Sequence, residues 1–212
     1  MKKGAIFMMI INVSMAFATP EFGPVAKLYK NDTSAYILVK KFQGIELFEK
    51  WDAIDSNISA REIKVVFSIN TEIRSAALLL QNEIRGTKWN KNASVYKIIK
   101  ADNHWIGYIQ YDLPWPLHNQ DCVLQYIELP SPDSLTIAFK SVDHPLFPEQ
   151  KNVDRINGTS GKWILTKKPK GIQVEYFITT TPSKILPAWM TDPIIRNNLL
   201  SPMKEFREIL EK

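Results

Sequence analysis

The chain has 212 residues, 45% hydrophobic and 23% charged, proportions that suit one globular domain with a sizeable core. Its net charge of +5 is spread without any long Lys/Arg cluster, which argues against a nucleic-acid partner. Cys122 is the only cysteine, so no intrachain disulfide forms and packing must hold the fold together.

In chain order, Lys2 and Lys3 precede the nearly uncharged run GAIFMMIINVSMAFA, which ends in Ala16-Phe17-Ala18. Residues 1–18 therefore read as a signal peptide, with a mature chain beginning near Thr19 that is exported, to the periplasm or as a secreted protein. An N-terminal anchor helix is the alternative, although the run is short for a span of ~20 residues. Residues 19–33, with Pro20, Gly23 and Pro24, form a lead-in, and residues 34–212 form the domain.

The domain opens with SAYILVKK and IELFEKWD flanking Phe42-Gln43-Gly44, a hairpin signal. REIKVVFSI alternates with period two and is a strand. TEIRSAALLLQNEI predicts one helix, capped by Asn70 or Thr71 and ended by Gly86, with Ile73, Ala76, Ala77, Leu80 and Ile84 as its apolar stripe. Trp89 follows it as a plug against the sheet. SVYKIIK, NHWIGYIQY, CVLQYIEL, SLTIAFK, GKWILTKK and GIQVEYFITT then read as strands. Several are apolar on both faces, as a sheet curving around a helix or a ligand requires. Between two of them lies DLPWPLHNQD, residues 112–121. Its prolines cannot join a ladder, so they set a stiff bend, with Asp121 as a structural acceptor and Trp115 over the core end or at a membrane interface.

The chain closes on LPAWMTDPIIRNNLLSPMKEFREILEK, in which Ile195, Leu199, Met203, Phe206 and Leu210 recur at helical spacing. Pro193 and Pro202 are expected to start or bend helical pieces. Strands, a helix, many antiparallel strands and a long terminal helix together predict an α+β fold with an antiparallel sheet. A long apolar helix laid across such a sheet is where apolar ligands bind.

Catalytic signals are weak. His104, His118 and His144 lack a second ligand at metal spacing, so neither a metal nor a cofactor is expected. Gly158-Thr-Ser160-Gly161 reads as a hairpin turn and not as a nucleophile elbow. Cys122 lies among apolar residues, as an inert buried thiol does. Asp143 and His144 are adjacent in an extended segment, so their side chains point apart.

Four motifs occur in order: Pro114-Trp-Pro-Leu with Gln120-Asp-Cys-Val; Pro148-Glu-Gln-Lys with Val153-Asp-Arg155; Gly161-Lys-Trp163 with Gly171-Ile-Gln-Val-Glu-Tyr176; and Ile185-Leu-Pro187-Ala-Trp189. Over residues 34–212 the chain resembles the START domain family, the lipid-transfer domains related to steroidogenic acute regulatory protein. The resemblance implies a helix-grip fold: a curved antiparallel sheet around the C-terminal helix, with an internal hydrophobic cavity. It implies noncatalytic binding, and by extension transfer, of a lipid or other hydrophobic small molecule, with transient membrane-surface contact. Trp105, Tyr126, Ile137, Trp163, Met190 and Ile194 are the expected pocket lining, although each would equally suit a plain packed core. Arg155, on the strand where the family carries an arginine, is expected at the pocket rim, without a buried partner. The chain departs from the family at Gln120, often arginine there, and at Gly107 and Tyr126. These two stand where some members place a cavity ion pair, so Tyr126 becomes the candidate polar handle. The alternatives are a cyclase or hydrolase of the wider superfamily acting on an apolar substrate, and an exported interaction domain without a ligand.

Overall fold

Alternation of apolar and polar residues dictates most of what is observed. The structure is a computed structural model and describes residues 36–53, 59–91, 93–112, 119–180 and 188–212. The segments expected to be signal peptide and lead-in, Trp115 and His118 lie outside these. The elements are β1 (Ile37–Phe42), β2 (Ile45–Ala53), β3 (Ser59–Ile69), α1 (Ile73–Leu80), α2 (Glu83–Trp89), β4 (Ala93–Lys100) and β5 (Trp105–Tyr111). They continue with β6 (Asn119–Ser131), β7 (Ser134–Ser141), β8 (Val153–Arg155), β9 (Ser160–Lys167), β10 (Ile172–Thr180) and α3 (Ala188–Leu210).

The strands form one curved sheet in the order β1-β2-β3-β10-β9-β7-β6-β5-β4, antiparallel throughout, with short β8 added parallel to β6. This is the expected α+β helix-grip arrangement. Each strand commits alternate residues to the inner face, where α3 lies. Ile63, Val65, Phe67 and Ile69 of β3, Ile172, Val174 and Tyr176 of β10, and Leu135, Ile137 and Phe139 of β7 share one core with Leu200, Met203 and Phe206 of α3. Full burial of each such side chain is worth ~1.5–3 kcal/mol, so this layer dominates the stabilisation of the fold.

The greasy outer-face residues have a separate explanation. Ile106, Tyr108 and Val123 form a second cluster, covered by Val142 and Phe147 of the β7–β8 connection. Strands with two apolar faces here reflect a sheet covered on both sides, by α3 within and by this connection without.

Several local expectations are corrected. The first helix is two. Gln81 and Asn82 donate to the carbonyls of Leu78 and Leu79, closing α1 with a tighter turn, and the Asn82 side chain then accepts from Arg85 N at 2.9 Å to cap α2. Neither Asn70 nor Thr71 caps α1; Glu72 occupies that position without a side-chain cap bond. Gly86, expected past the helix end, lies inside α2, because a Cβ there would come within 2.4 Å of the Tyr96 ring. The break also turns Ile84 out of the apolar stripe, to 77% exposure. In α3, Pro193 and Pro202 lie inside one 23-residue helix, so neither starts a separate helical piece. Among its described side chains Leu200, Met203 and Phe206 are buried, with Leu199 half-buried. Gly158-Thr-Ser160-Gly161 is not a hairpin turn: it joins β8 to β9, which pair with different strands.

Candidate functional site: the inner face beneath the C-terminal helix

Four of the expected pocket residues reach the inner face by strand parity. Trp105 of β5 is the ladder partner of Tyr126 of β6, which pairs in turn with Phe139 of β7. One step along, Ile137 of β7 pairs with Trp163 of β9, and Trp163 with Tyr176 of β10. All six are buried. Their rings form a belt: Trp105 stacks on Tyr126 at 4.0 Å, Tyr126 meets Phe139 at 5.5 Å, Phe139 meets Tyr176 at 6.0 Å, and Tyr176 meets Trp163 at 4.5 Å. Trp163 then contacts Phe206 of α3 at 5.3 Å and Trp89 of α2 at 6.2 Å. Trp89, the expected plug, is thus the far end of the belt. The Tyr126 ring occupies the space that a side chain at Gly107 would take, since a Cβ there would lie 3.0 Å from Tyr126 Cε2.

Polar atoms in this belt are sparse and neutral. Burial pushes the phenols of Tyr96, Tyr111, Tyr126 and Tyr176 above their ordinary range, and the Cys122 thiol up to about 12. Tyr96 donates to the Leu80 carbonyl at 2.8 Å, and Tyr111 accepts from Asn90 at 3.3 Å. The indole N–H groups of Trp89 and Trp105 are buried without a hydrogen-bond partner among the described residues.

A charged group closes the other flank of the same face. Glu49 of β2 is buried and accepts a bidentate pair from Arg196 of α3, Nε to Oε1 at 2.9 Å and Nη2 to Oε2 at 3.1 Å. Arg61 of β3, also buried, approaches Glu49 at 3.8 Å and lies over the Trp51 ring. Lys40 to Asn197 and Arg207 to the Gln43 carbonyl add further ties between α3 and the β1–β2 hairpin. Sequence reading missed this group, although a signal existed. Glu49 shares inward parity with Ile45 and Leu47, as does Arg61 with Ile63 and Val65.

Arg155 is a correction. It is buried on the outer face and bonded in bidentate fashion to Asp121, at 2.6 and 3.0 Å, with further bonds to the Phe147 and Pro148 carbonyls. Asp121 and Val123 point outward while Cys122 and Leu124 point inward, so Arg155 belongs to neither the floor nor the rim of the inner face. The reason is the parallel β8–β6 pairing, which sets Arg155 opposite Asp121. Asp121 keeps the structural role expected of it. Met190 and Ile194 fall in α3, but their side chains lie outside the described residues. Among the described residues no cluster of His, Cys, Asp and Glu suits a metal ion, and no helix is long and apolar enough to cross a membrane.

The START domain family model matches residues 29–212. The chain belongs to the START domain family. An uncharacterized protein of Pseudomonas aeruginosa, PA1579, is 28% identical over 137 residues, which are 63% of this chain and 67% of that protein. START domain-containing protein 10 of mouse and of human is 29% identical over 108 residues, half of this chain but only 37% of those proteins. Among solved structures, a STAR-related lipid transfer protein fragment from Xanthomonas axonopodis superposes with a TM-score of 0.72 at 21% identity, over 84% of this chain and 99% of that one. Human STARD10 gives 0.69 at 20% identity, over 84% and 74%. START domains as a family bind lipids, and this chain carries their fold through its C-terminal helix.

Proposed function

We propose that the protein binds one lipid or similar hydrophobic molecule between the inner face of the sheet and α3, performs no chemistry on it, and carries it between surfaces. The supporting observation is the belt from Trp105 to Trp163, apolar, nearly free of paired polar atoms, and roofed by Phe206 of α3. Each ligand methylene buried there would supply about 0.8 kcal/mol, so a long acyl chain binds tightly with few polar contacts. Trp105, Tyr126, Ile137 and Trp163 are the lining on this reading, joined by Met190 and Ile194 from α3. The Xanthomonas relative is a STAR-related lipid transfer protein and the human one a START domain-containing protein, which agrees with this reading.

Delipidated protein should bind a fluorescent fatty acid saturably, with one site per chain, and native mass spectrometry of gently isolated protein should retain a lipid. A folded, delipidated protein that binds no amphiphile overturns the proposal. Export belongs to the same reading, on the strength of residues 1–18: natively expressed protein should begin near Thr19, and a soluble cytoplasmic pool retaining Met1 would remove that part.

A further inference from the structure

Between β8 and β9 the chain is held on either side of one short step. The Ile156 amide donates to the Asp121 carbonyl at 2.7 Å. Beyond the step, Thr159 N donates to Ser141 Oγ at 3.0 Å, and the Thr159 carbonyl accepts from Ser141 N at 2.8 Å. Asn157 and Gly158, between these anchors, are exposed, and neither makes a hydrogen bond to a described residue. This is the only Asn-Gly step in the sequence.

Such a step carries chemistry of its own. Attack of the Gly158 nitrogen on Asn157 Cγ closes a five-membered ring, with the rate advantage of an intramolecular reaction. At most positions the Cβ of the following residue crowds that approach. Gly158 has no Cβ, and one built there would meet nothing within 4 Å, so no neighbour shields the nitrogen. Two other exposed asparagines differ. Asn103 Oδ1 lies 2.9 Å from His104 Nδ1, and Asn152 is followed by the β-branched Val153.

We infer that Asn157 is a site of spontaneous covalent modification, deamidating through a succinimide to aspartate and isoaspartate, and that the isoaspartate loosens the outer-face Asp121–Arg155 pair. The Gly158 N–H gives its proton to hydroxide, the N–Cγ bond forms, the Cγ–NH2 bond breaks, and ammonia leaves with a proton from water. Water then opens the ring. Addition at Cγ gives aspartate. Addition at the backbone carbonyl gives isoaspartate, whose main chain runs through Cβ and Cγ and is one carbon longer. In sum one water enters and one ammonia leaves, with no oxidant or cofactor. The longer link must fit between anchors set for the shorter one. Its strain falls on the Ile156 N–H to Asp121 carbonyl bond, beside the Arg155–Asp121 ion pair.

The test incubates the full folded chain in mildly alkaline buffer beside the synthetic peptide INGTSGK, residues 156–162, the same segment that trypsin releases afterwards from the chain. Mass spectrometry reads the replacement of NH2 by OH, and chromatography separates the two products. The folded chain should convert Asn157 within about tenfold of the peptide's rate, a barrier difference of at most ~1.4 kcal/mol, and well ahead of Asn103 and Asn152. The rate should rise with pH, because the attacking nitrogen must lose its proton. Asn157→Gln, which would need a larger ring, should stay intact. Hydrogen exchange at the Ile156 amide should quicken in the isoaspartyl form and not in Asn157→Asp, which adds the charge without the extra carbon. Conversion about a hundredfold slower than in the peptide, or no faster than at Asn103 and Asn152, would show that the fold holds the step closed and would overturn the inference. Conversion with unchanged exchange at Ile156 would overturn the loosening.

Discussion

Two bidentate arginine–carboxylate pairs lie on opposite faces of one sheet, and they do different work. Asp121–Arg155, on the outer face, joins residues 34 apart and is buried, with the Phe147 and Pro148 carbonyls also accepting from Arg155 Nη2. It fastens the β7–β8 connection over Ile106, Tyr108 and Val123. Glu49–Arg196, on the inner face, joins residues 147 apart, and its arginine side chain is 27% exposed. It fastens a helix across the face proposed to hold the ligand. The same chemistry thus serves as a permanent staple where both ions are fully buried, and as a clasp where one of them keeps access to water. Exposure decides which, because a buried ion stripped of its partner cannot recover hydration.

The largest expected effect tests the staple. Arg155→Ala strands Asp121 in the outer face and should cost about 3–5 kcal/mol, read as a shift of the urea midpoint. The folded fraction should keep its ratio of affinities for anionic and neutral lipids; a changed ratio would return Arg155 to the ligand site. Phe206→Ala tests the apolar side of the clasp. This side chain is fully buried, so its loss should cost about 3–5 kcal/mol, and Leu200→Ala should cost more than Leu199→Ala, whose side chain is only half-buried. Equal losses at 199 and 200 would mean that the helix is rotated from the arrangement described here.

Arg196→Ala tests the clasp itself. Arg61 still faces Glu49, so the loss should be smaller, about 1.5–3 kcal/mol. Hydrogen exchange should quicken in α3 and not in β6. Exchange quickening equally in both would contradict a local clasp.

Each face also buries a neutral acid, and these set an alkaline limit. Burial raises Cys122 from 9.0 to about 12 on the inner face, and Tyr108 from 10.0 to about 12 on the outer face. Both are neutral when protonated, so their contribution is fully present below about pH 9 and is lost as pH rises toward 12. Stability measured at pH 8, 9.5 and 11 should fall in that order, and Cys122→Ala should flatten the lower part of the slope. The smallest effect belongs to the half-exposed Lys204–Glu208 pair, one turn apart on α3, whose removal should leave the melt within its scatter.

The sequence alone determined the strands, their inward residues and the terminal helix, because period-two and helical alternation are local and each residue carries its own signal. Trp105, Tyr126, Ile137 and Trp163 were expected at the pocket from the family resemblance, and the register of their strands puts them on the inner face. The break between α1 and α2 was less so, since Gln81-Asn82 fits a continuous helix until Tyr96 packs against Gly86. What only the tertiary structure decided is pairing across the sheet. Glu49 announces an inward acid, but nothing near it in sequence names Arg196. Arg155 had no visible partner until β8 added itself parallel to β6 and set it opposite Asp121. Alternation fixes which way a side chain points along its own strand, whereas the partner it meets depends on strand order and register, which are settled by contacts between distant segments.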